Sequence, residues 1–189
     1  MVFALLSCFA LVACGESGPT DEEVKVAEDE RKSARKLAKE AESATAVAVN
    51  CRSDLGPLIQ SLRNTGSRLN VGLVFADYST QVGQISVAYD RIPFNRMDYE
   101  CISTVGIQAE KAFGAYTDAY NEWNDCIGDL YCDMDSIDSE LQDKWRKAGR
   151  QVNQARQGLV TLETIAVEAQ EKADKQKRKA KEAEAALDS

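Results

Sequence analysis

Hydrophobic residues recur at alternating spacings of four and three over the last quarter of the chain. This period predicts one long helix with a heptad seam, typical of a helix that packs along its length against another helix. One polar residue, Gln176, interrupts the series. The apolar seam positions are Leu141, Trp145, Ala148, Val152, Ala155, Leu159, Leu162, Ala166, Ala169, Ala173, Ala180, Ala183 and Leu187.

The first third of the chain carries a matching seam from Ala27 to Leu62, with Glu30 as its polar exception. The pair Gly56-Pro57 lies inside this seam. We expect a kink or break there, because proline lacks the amide hydrogen and disfavours helical geometry in the residue before it. The sequence NTGS at 64–67 is predicted to form the connection to the next helix.

Two shorter helices are predicted between the long ones, over about 71–92 and 102–126, with a turn at 91–95. Asp135 or Ser136 is expected to cap the last helix. Short connections make consecutive helices antiparallel. The sequence therefore predicts an all-α fold.

The unequal helix lengths suggest how the elements are arranged. The long helices must project beyond the short ones, which predicts an antiparallel four-helix head (residues 45–162) and an extended two-helix coiled-coil stalk. In the stalk, 21–44 pairs with 163–187. Two alternatives remain open for these alanine-rich ends. They could fray as single helices, because alanine seams bury little apolar area, or they could pair between molecules and form an oligomer.

Composition excludes several classes of function. The chain of 189 residues has no histidine and a formal net charge of −8. Mechanisms that need an imidazole are therefore excluded, and the acidic balance argues against nucleic acid as a partner. No phosphate-binding loop, dinucleotide fingerprint or nucleophile-elbow motif occurs. We expect a protein that is not an enzyme and carries no cofactor.

The first residues predict export. Val2 to Ala13 form an apolar run too short to span a bilayer, and its ending, Leu11-Val12-Ala13-Cys14, resembles the lipobox of bacterial lipoproteins. The resemblance implies that 1–13 is a cleaved signal peptide and that Cys14 is lipidated and anchors the protein in the cell envelope. The alternative is an ordinary secretory signal. A tether (14–20) follows, and Thr20 with Glu23 forms a capping box that predicts a helix start at residue 21.

Four cysteines remain in the exported chain, and an even number in such a protein indicates disulfides. Three pairings are possible. Cys126 and Cys132 are six residues apart, so we pair them with each other, which leaves Cys51 with Cys101. A four-thiolate zinc site is the alternative, but no C-x-x-C pair is present.

The segment 121–143 contains eight acidic residues and no Lys or Arg. It connects the third and fourth predicted helices, at the end of the bundle away from the lipid anchor. Acids can steer a cationic partner while aromatic side chains supply contact area. The residues predicted to bind a partner are Asp125, Asp129, Tyr131, Asp133, Met134 and Asp135.

Two other interpretations of this segment stay open. Its acids could simply cap a helix in a solvated turn. Asp133-Met134-Asp135 also begins like a calcium-binding loop, but the glycine required at the sixth position is missing, and we expect no metal.

The sequence thus favours a non-catalytic lipoprotein that displays a helical head to a protein or a wall polymer. One alternative is a phage- or plasmid-type exclusion or immunity lipoprotein that blocks a receptor. The other, from a different class, is an enzyme or small-ligand carrier with a pocket lined by Tyr78, Tyr89, Tyr116 and Trp123.

Overall fold

The computed structural model describes residues 18–188, and all regular elements in that range are helical, which confirms the all-α prediction. The predicted signal peptide, Cys14 and the first part of the tether lie outside the described residues. The elements in chain order are α1 (Asp21–Leu69), α2 (Phe75–Asp90), a 3₁₀ turn (Phe94–Arg96), α3 (Tyr99–Cys101), a π-helical stretch (Ile102–Gly106), α4 (Ile107–Gly128) and α5 (Met134–Leu187).

Helix α1 begins as the sequence predicts. The Thr20 hydroxyl accepts a hydrogen bond from the Glu23 amide (3.3 Å), and the Thr20 amide donates one to the Glu23 carboxylate (2.8 Å). These reciprocal bonds satisfy two amides that have no partner within the helix. The capping box is therefore confirmed.

The kink or break predicted at Gly56-Pro57 does not end the helix, since α1 continues through Pro57 to Leu69. Pro57 removes only one backbone hydrogen bond, and buried Leu55, Leu58 and Ile59 hold this part of the helix against the core. Tertiary packing thus overrides the local effect of the proline.

The predicted turn at 64–67 is also helical. Thr65 is buried, and its hydroxyl donates a hydrogen bond to the Ser61 carbonyl oxygen (3.1 Å). The chain turns later, at 70–74, where Gly72 has a φ of +100° that favours glycine. Helix α2 is accordingly shorter than predicted and begins at Phe75.

Helix α5 is capped by Asp133, not by Asp135 or Ser136. The Asp133 carboxylate accepts a hydrogen bond from the Asp135 amide (3.1 Å). A side-chain oxygen of this kind needs an amide two or three residues further on. The amides at the start of α5 that have no partner within the helix therefore lie nearer to Asp133 than the pattern of apolar residues indicates.

Helices α1 and α5 contact each other over most of their length. Arg52 forms an ion pair with Glu163, and Arg31 forms one with Glu184 (4.0 Å), which shows that the helices are antiparallel. The polar exceptions of the two seams, Glu30 and Gln176, hydrogen-bond to each other. The outer part of the contact is made by small buried side chains: Ala27, Ala41, Ala173 and Ala180.

The main core lies where α2, α3 and α4 join the α1–α5 pair. Cys51 of α1 and Cys101 of α3 form a buried disulfide there, with 5.5 Å between their Cα atoms. The largest fully buried side chains are Tyr78, Tyr116, Leu55, Leu58, Leu62, Ile85 and Leu141.

The π-helical stretch packs closely on α5. A Cβ placed on Gly158 would lie 2.5 Å from the Thr104 carbonyl oxygen and 3.0 Å from a Val105 methyl carbon. Glycine at position 158 therefore permits the backbones of the two helices to approach each other. This contact places the π-helical stretch directly against α5.

Candidate functional site

The candidate site is the connection between α4 and α5, residues 125–135, which we call the tip. Two of its predicted site residues shape the turn. The Asp129 carboxylate accepts a hydrogen bond from the Tyr131 amide (2.9 Å), and Asp133 caps α5. Such short-range bonds from aspartate to its own backbone are typical of turns. The two side chains thus have a structural role in addition to their charge.

A disulfide closes the tip. Cys126 in the last turn of α4 is joined to Cys132, with 5.2 Å between their Cα atoms. The Cys132 amide also donates a hydrogen bond to the Asp129 carbonyl oxygen (3.2 Å). The loop is therefore restrained at both ends.

Apolar side chains project from this restrained loop into solvent. Leu130 is 96% exposed, Tyr131 is 95% exposed, and Ile127 and Met134 are more than a third exposed. Tyr131 and Met134 were predicted from the sequence as site residues, whereas Leu130 and Ile127 were not. The sequence does contain a sign of their exposure, since neither residue is at a seam position, and an apolar residue outside the seam has no core to pack against.

The uncompensated charge of the acidic segment 121–143 is smaller than the sequence indicates. Lys144, one residue beyond the acidic segment, pairs with Glu122 and with Glu140 (2.6 Å), and Arg146 pairs with Asp143. Within residues 18–188, the five aspartates at 125, 129, 133, 135 and 138 form no ion pair. All five lie on the tip or in the first turns of α5, so the uncompensated charge is concentrated there.

The ion pairs of Lys144 with Glu122 and Glu140, which we call the Lys144 cluster, also shift the pKa values of Glu140 and Lys144. Hydrogen bonding to Lys144 lowers the pKa of Glu140. Partial burial lowers the pKa of Lys144, but its hydrogen bonds to Glu122 and Glu140 outweigh burial and raise it overall. The cluster joins α4 to α5 directly beside the tip.

The tip aspartates do not gather around a common point. Among residues 18–188, no three or more His, Cys, Asp or Glu side chains are placed so that they could hold a metal ion. Asp125, Asp129, Asp133 and Asp135 are all exposed to solvent.

The aromatic residues considered for a ligand pocket do not all lie in one cluster. Trp123 and Tyr78 belong to a cluster with Trp145, in which ring centroids are 5.7 to 5.9 Å apart. The Tyr78 hydroxyl donates to the Tyr116 carbonyl oxygen (2.8 Å) and accepts from the Trp145 indole (3.1 Å). Tyr89 packs elsewhere, against Phe94 and Phe113.

No helix in the described part of the chain is both long and apolar enough to cross a membrane. No protein-family model matches the chain, and no curated protein or solved structure shows significant similarity to it.

Proposed function

We propose that this protein is a lipid-anchored, non-catalytic spacer of the bacterial cell envelope whose tip binds a cationic surface of another protein or of a wall polymer. The observation that carries the proposal is the tip itself. Leu130 and Tyr131 are almost fully exposed among five aspartates without ion pairs, on a loop closed by the Cys126–Cys132 disulfide. Exposed apolar groups held on a restrained, charged loop are a feature of binding surfaces.

The dimensions of the long helices support the spacer role. Helix α1 has 49 residues and α5 has 54, which correspond to about 73 and 81 Å of helix. The Arg31–Glu184 ion pair brings the end of α5 beside the first turns of α1. The tip, at the start of α5, then stands far from the N-terminus. A four-helix head on a two-helix coiled-coil stalk is the arrangement we propose for this function.

The anchor in this proposal is Cys14, by the lipobox resemblance of Leu11-Val12-Ala13-Cys14. We expect Cys14→Ser to release the protein from the membrane fraction without changing its helical circular dichroism, because the described helices begin only at Asp21, after the predicted tether. The protein would lie on the outer face of the plasma membrane, or in the outer membrane where the host has one. Continued membrane association of the variant, together with failure of the wild type to incorporate labelled palmitate, would contradict the anchor.

The tip would recognise its partner in two steps. The aspartates raise the local negative potential and speed the encounter with a cationic surface. Tyr131 and Leu130 then supply contact area that slows dissociation. Trp123 has no such role, because it is held in the aromatic cluster of the head.

The decisive experiment is photo-crosslinking in intact cells. A photoreactive phenylalanine analogue replaces Tyr131 in one strain and Tyr99 in a matched control strain. Tyr99 is also strongly exposed (83%), but it lies at the start of α3, outside the tip. We expect a discrete crosslinked partner from position 131 only.

A second variant tests the charge. With the crosslinker at 131, replacing Asp129, Asp133 and Asp135 by Asn is expected to reduce the crosslink severalfold. Equal crosslinking from 99 and 131, or no effect of the three Asn substitutions, would show that the tip is only a solvated turn. A crosslink to an envelope receptor would instead favour the exclusion or immunity alternative.

A further inference from the structure

A second surface, separate from the tip, follows the α1–α5 pair through the head. Two adjoining hollows of about 340 and 820 Å³ share Arg63 and Asn153 and form one groove, which we call the arginine groove. Its residues on each helix recur at three- and four-residue steps, so they lie on one face of α1 and one face of α5. The charged and amide side chains that line it are Arg52, Gln60, Arg63, Asn70, Gln142, Arg146, Asn153, Arg156 and Gln157.

The charge of this groove is opposite to that of the molecule. The chain has 31 acidic and 23 basic residues, yet four arginines line the groove and no acidic residue does so in the described structure. Two of them have partners at the ends of the groove, Arg52 with Glu163 and Arg146 with Asp143. Arg63 and Arg156, in the middle, form no ion pair within residues 18–188.

The arginines are spaced along the groove. The Arg52–Glu163 pair sets the register of the antiparallel helices. In that register Arg156 stands level with position 59 of α1, and Arg146 with position 69. At 1.5 Å per residue, successive arginines are about 6 to 10 Å apart along an axis of about 26 Å. A ligand that contacted all four arginines would be linear and would carry its charged groups at wide intervals.

The floor of the groove offers a hydroxyl that lacks a partner. Tyr116 lines the groove and is 1% exposed, and its hydroxyl forms no hydrogen bond within residues 18–188. A Cβ on Gly66 would lie 2.7 Å from this oxygen, so glycine leaves room for it beside the groove. Burial raises the pKa of Tyr116 to about 12, so the hydroxyl remains a donor.

We propose that the arginine groove binds a linear acidic glycan, a chain of sugars that carries carboxylate or phosphate groups. Guanidinium groups pair with such anions. The side-chain amides of Asn70, Gln142, Asn153 and Gln157, which both donate and accept, match sugar hydroxyls, as does the Tyr116 hydroxyl. A nucleic acid strand is a poorer match, because its phosphates are more closely spaced than the arginines of the groove.

The test is isothermal titration calorimetry on the full-length protein in a neutral detergent. The probes are hexagalacturonate, which carries carboxylates, maltohexaose bearing phosphate esters, and unmodified maltohexaose. We expect saturable binding of one or both acidic glycans and binding of the neutral one at least about tenfold weaker, because charge-assisted hydrogen bonds are lost. The two acidic probes identify which anion the groove prefers.

Matched variants show where the glycan binds. The double variant Arg63→Gln with Arg156→Gln should weaken binding by about tenfold or more, whereas Arg150→Gln should have little effect. Arg150 lies on α5 four residues from Arg146 but does not line the groove. Gly149→Phe should fill the groove and abolish binding. Gly83→Phe is its control, since a Cβ meets no neighbour at either glycine and Gly83 lies on α2.

Four results would overturn the proposal. One is the absence of saturable binding by both acidic glycans, and another is equal binding of the neutral one. The third is an equal loss of affinity in the Arg150 and groove variants, which would show diffuse attraction. The fourth is equal or tighter binding of polyglutamate or of a single-stranded oligothymidylate, which would identify a peptide or a nucleic acid as the occupant. The tip proposal does not depend on any of these results.

Discussion

At the scale of single residues, two glycines of α5 differ in whether a side chain would fit at their position. A Cβ on Gly149 would meet no neighbour, whereas a Cβ on Gly158 would collide with the backbone of the π-helical stretch. We expect Gly149→Ala to raise the free energy of unfolding by about 0.5–1 kcal/mol, because alanine loses less backbone freedom on folding.

The same change at Gly158 should lower the free energy of unfolding by about 1–3 kcal/mol, since the packed backbones must move apart. Urea unfolding of both variants measures the difference. Equal effects at the two positions would contradict the close approach of the π-helical stretch to α5.

Buried tyrosines make the fold sensitive to alkaline pH. Burial raises the pKa of Tyr116 from its ordinary value of 10.0 to about 12, and burial raises that of Tyr78 as well. Because the folded state favours the protonated phenols, their contribution to stability is complete below about pH 10 and is lost as the pH rises from there toward 12.

This pH dependence can be measured from urea midpoints between pH 8 and 12. Tyr116→Phe should make the alkaline decline shallower, because phenylalanine does not ionise. Tyr99→Phe, at an exposed position, should leave it unchanged. An equally steep decline in wild type and Tyr116→Phe would show that this phenol does not cause the decline.

At the scale of an element, the first turn of α1 depends on its capping box. We expect Thr20→Ala to weaken the helix start by about 1 kcal/mol, because the Glu23 amide loses its acceptor. Faster amide hydrogen exchange in residues 21–24 would report this, while exchange near Leu55 should stay the same. An effect spread over all of α1 would mean that the cap stabilises more than the local turn.

The carboxyl group of Glu23 makes the stability of the same turn depend on pH. Its hydrogen bonds to the backbone and side chain of Thr20 lower its pKa. A lowered carboxyl pKa means that the stabilising contribution is present above the ordinary glutamate pKa and disappears as the pH falls through the lowered value. The first turn of α1 should therefore fray in acid.

At the scale of the whole molecule, the two disulfides restrain the unfolded chain to different extents. Cys51–Cys101 closes 50 residues of chain and Cys126–Cys132 closes six. On the chain-entropy model the long loop contributes about 4 kcal/mol and the short one about 2. Mass mapping of the oxidised protein should show these two pairs.

The two disulfides should be reduced one after the other, because they differ in solvent accessibility. Cys51 and Cys101 are each 1% exposed, whereas the tip disulfide joins Cys126, which is 7% exposed, to Cys132, which is partly exposed. Mild reductant should therefore open Cys126–Cys132 first with a small fall in melting temperature, and the larger fall should follow loss of Cys51–Cys101. Free thiols in the oxidised protein, or a Cys51–Cys126 link, would contradict the observed helix arrangement.

Some features of this fold could be predicted from the sequence because they depend on neighbours along the chain. The seams of α1 and α5, the capping box at Thr20 and the acidic, cysteine-bounded tip all arise within a few helical turns. Residues three and four apart share a helix face whatever the rest of the molecule does. The all-α class and the predicted tip residues followed from such local patterns.

Other features were decided only by tertiary contacts. Helix α1 continues through Pro57 and Gly66 because core side chains on other helices hold it there, and Lys144 neutralises Glu122 from 22 residues away. The arginine groove joins Arg63 to residues of α5 about ninety positions further along. No local pattern marks it, because a groove exists only once two helices have fixed their register and their spacing.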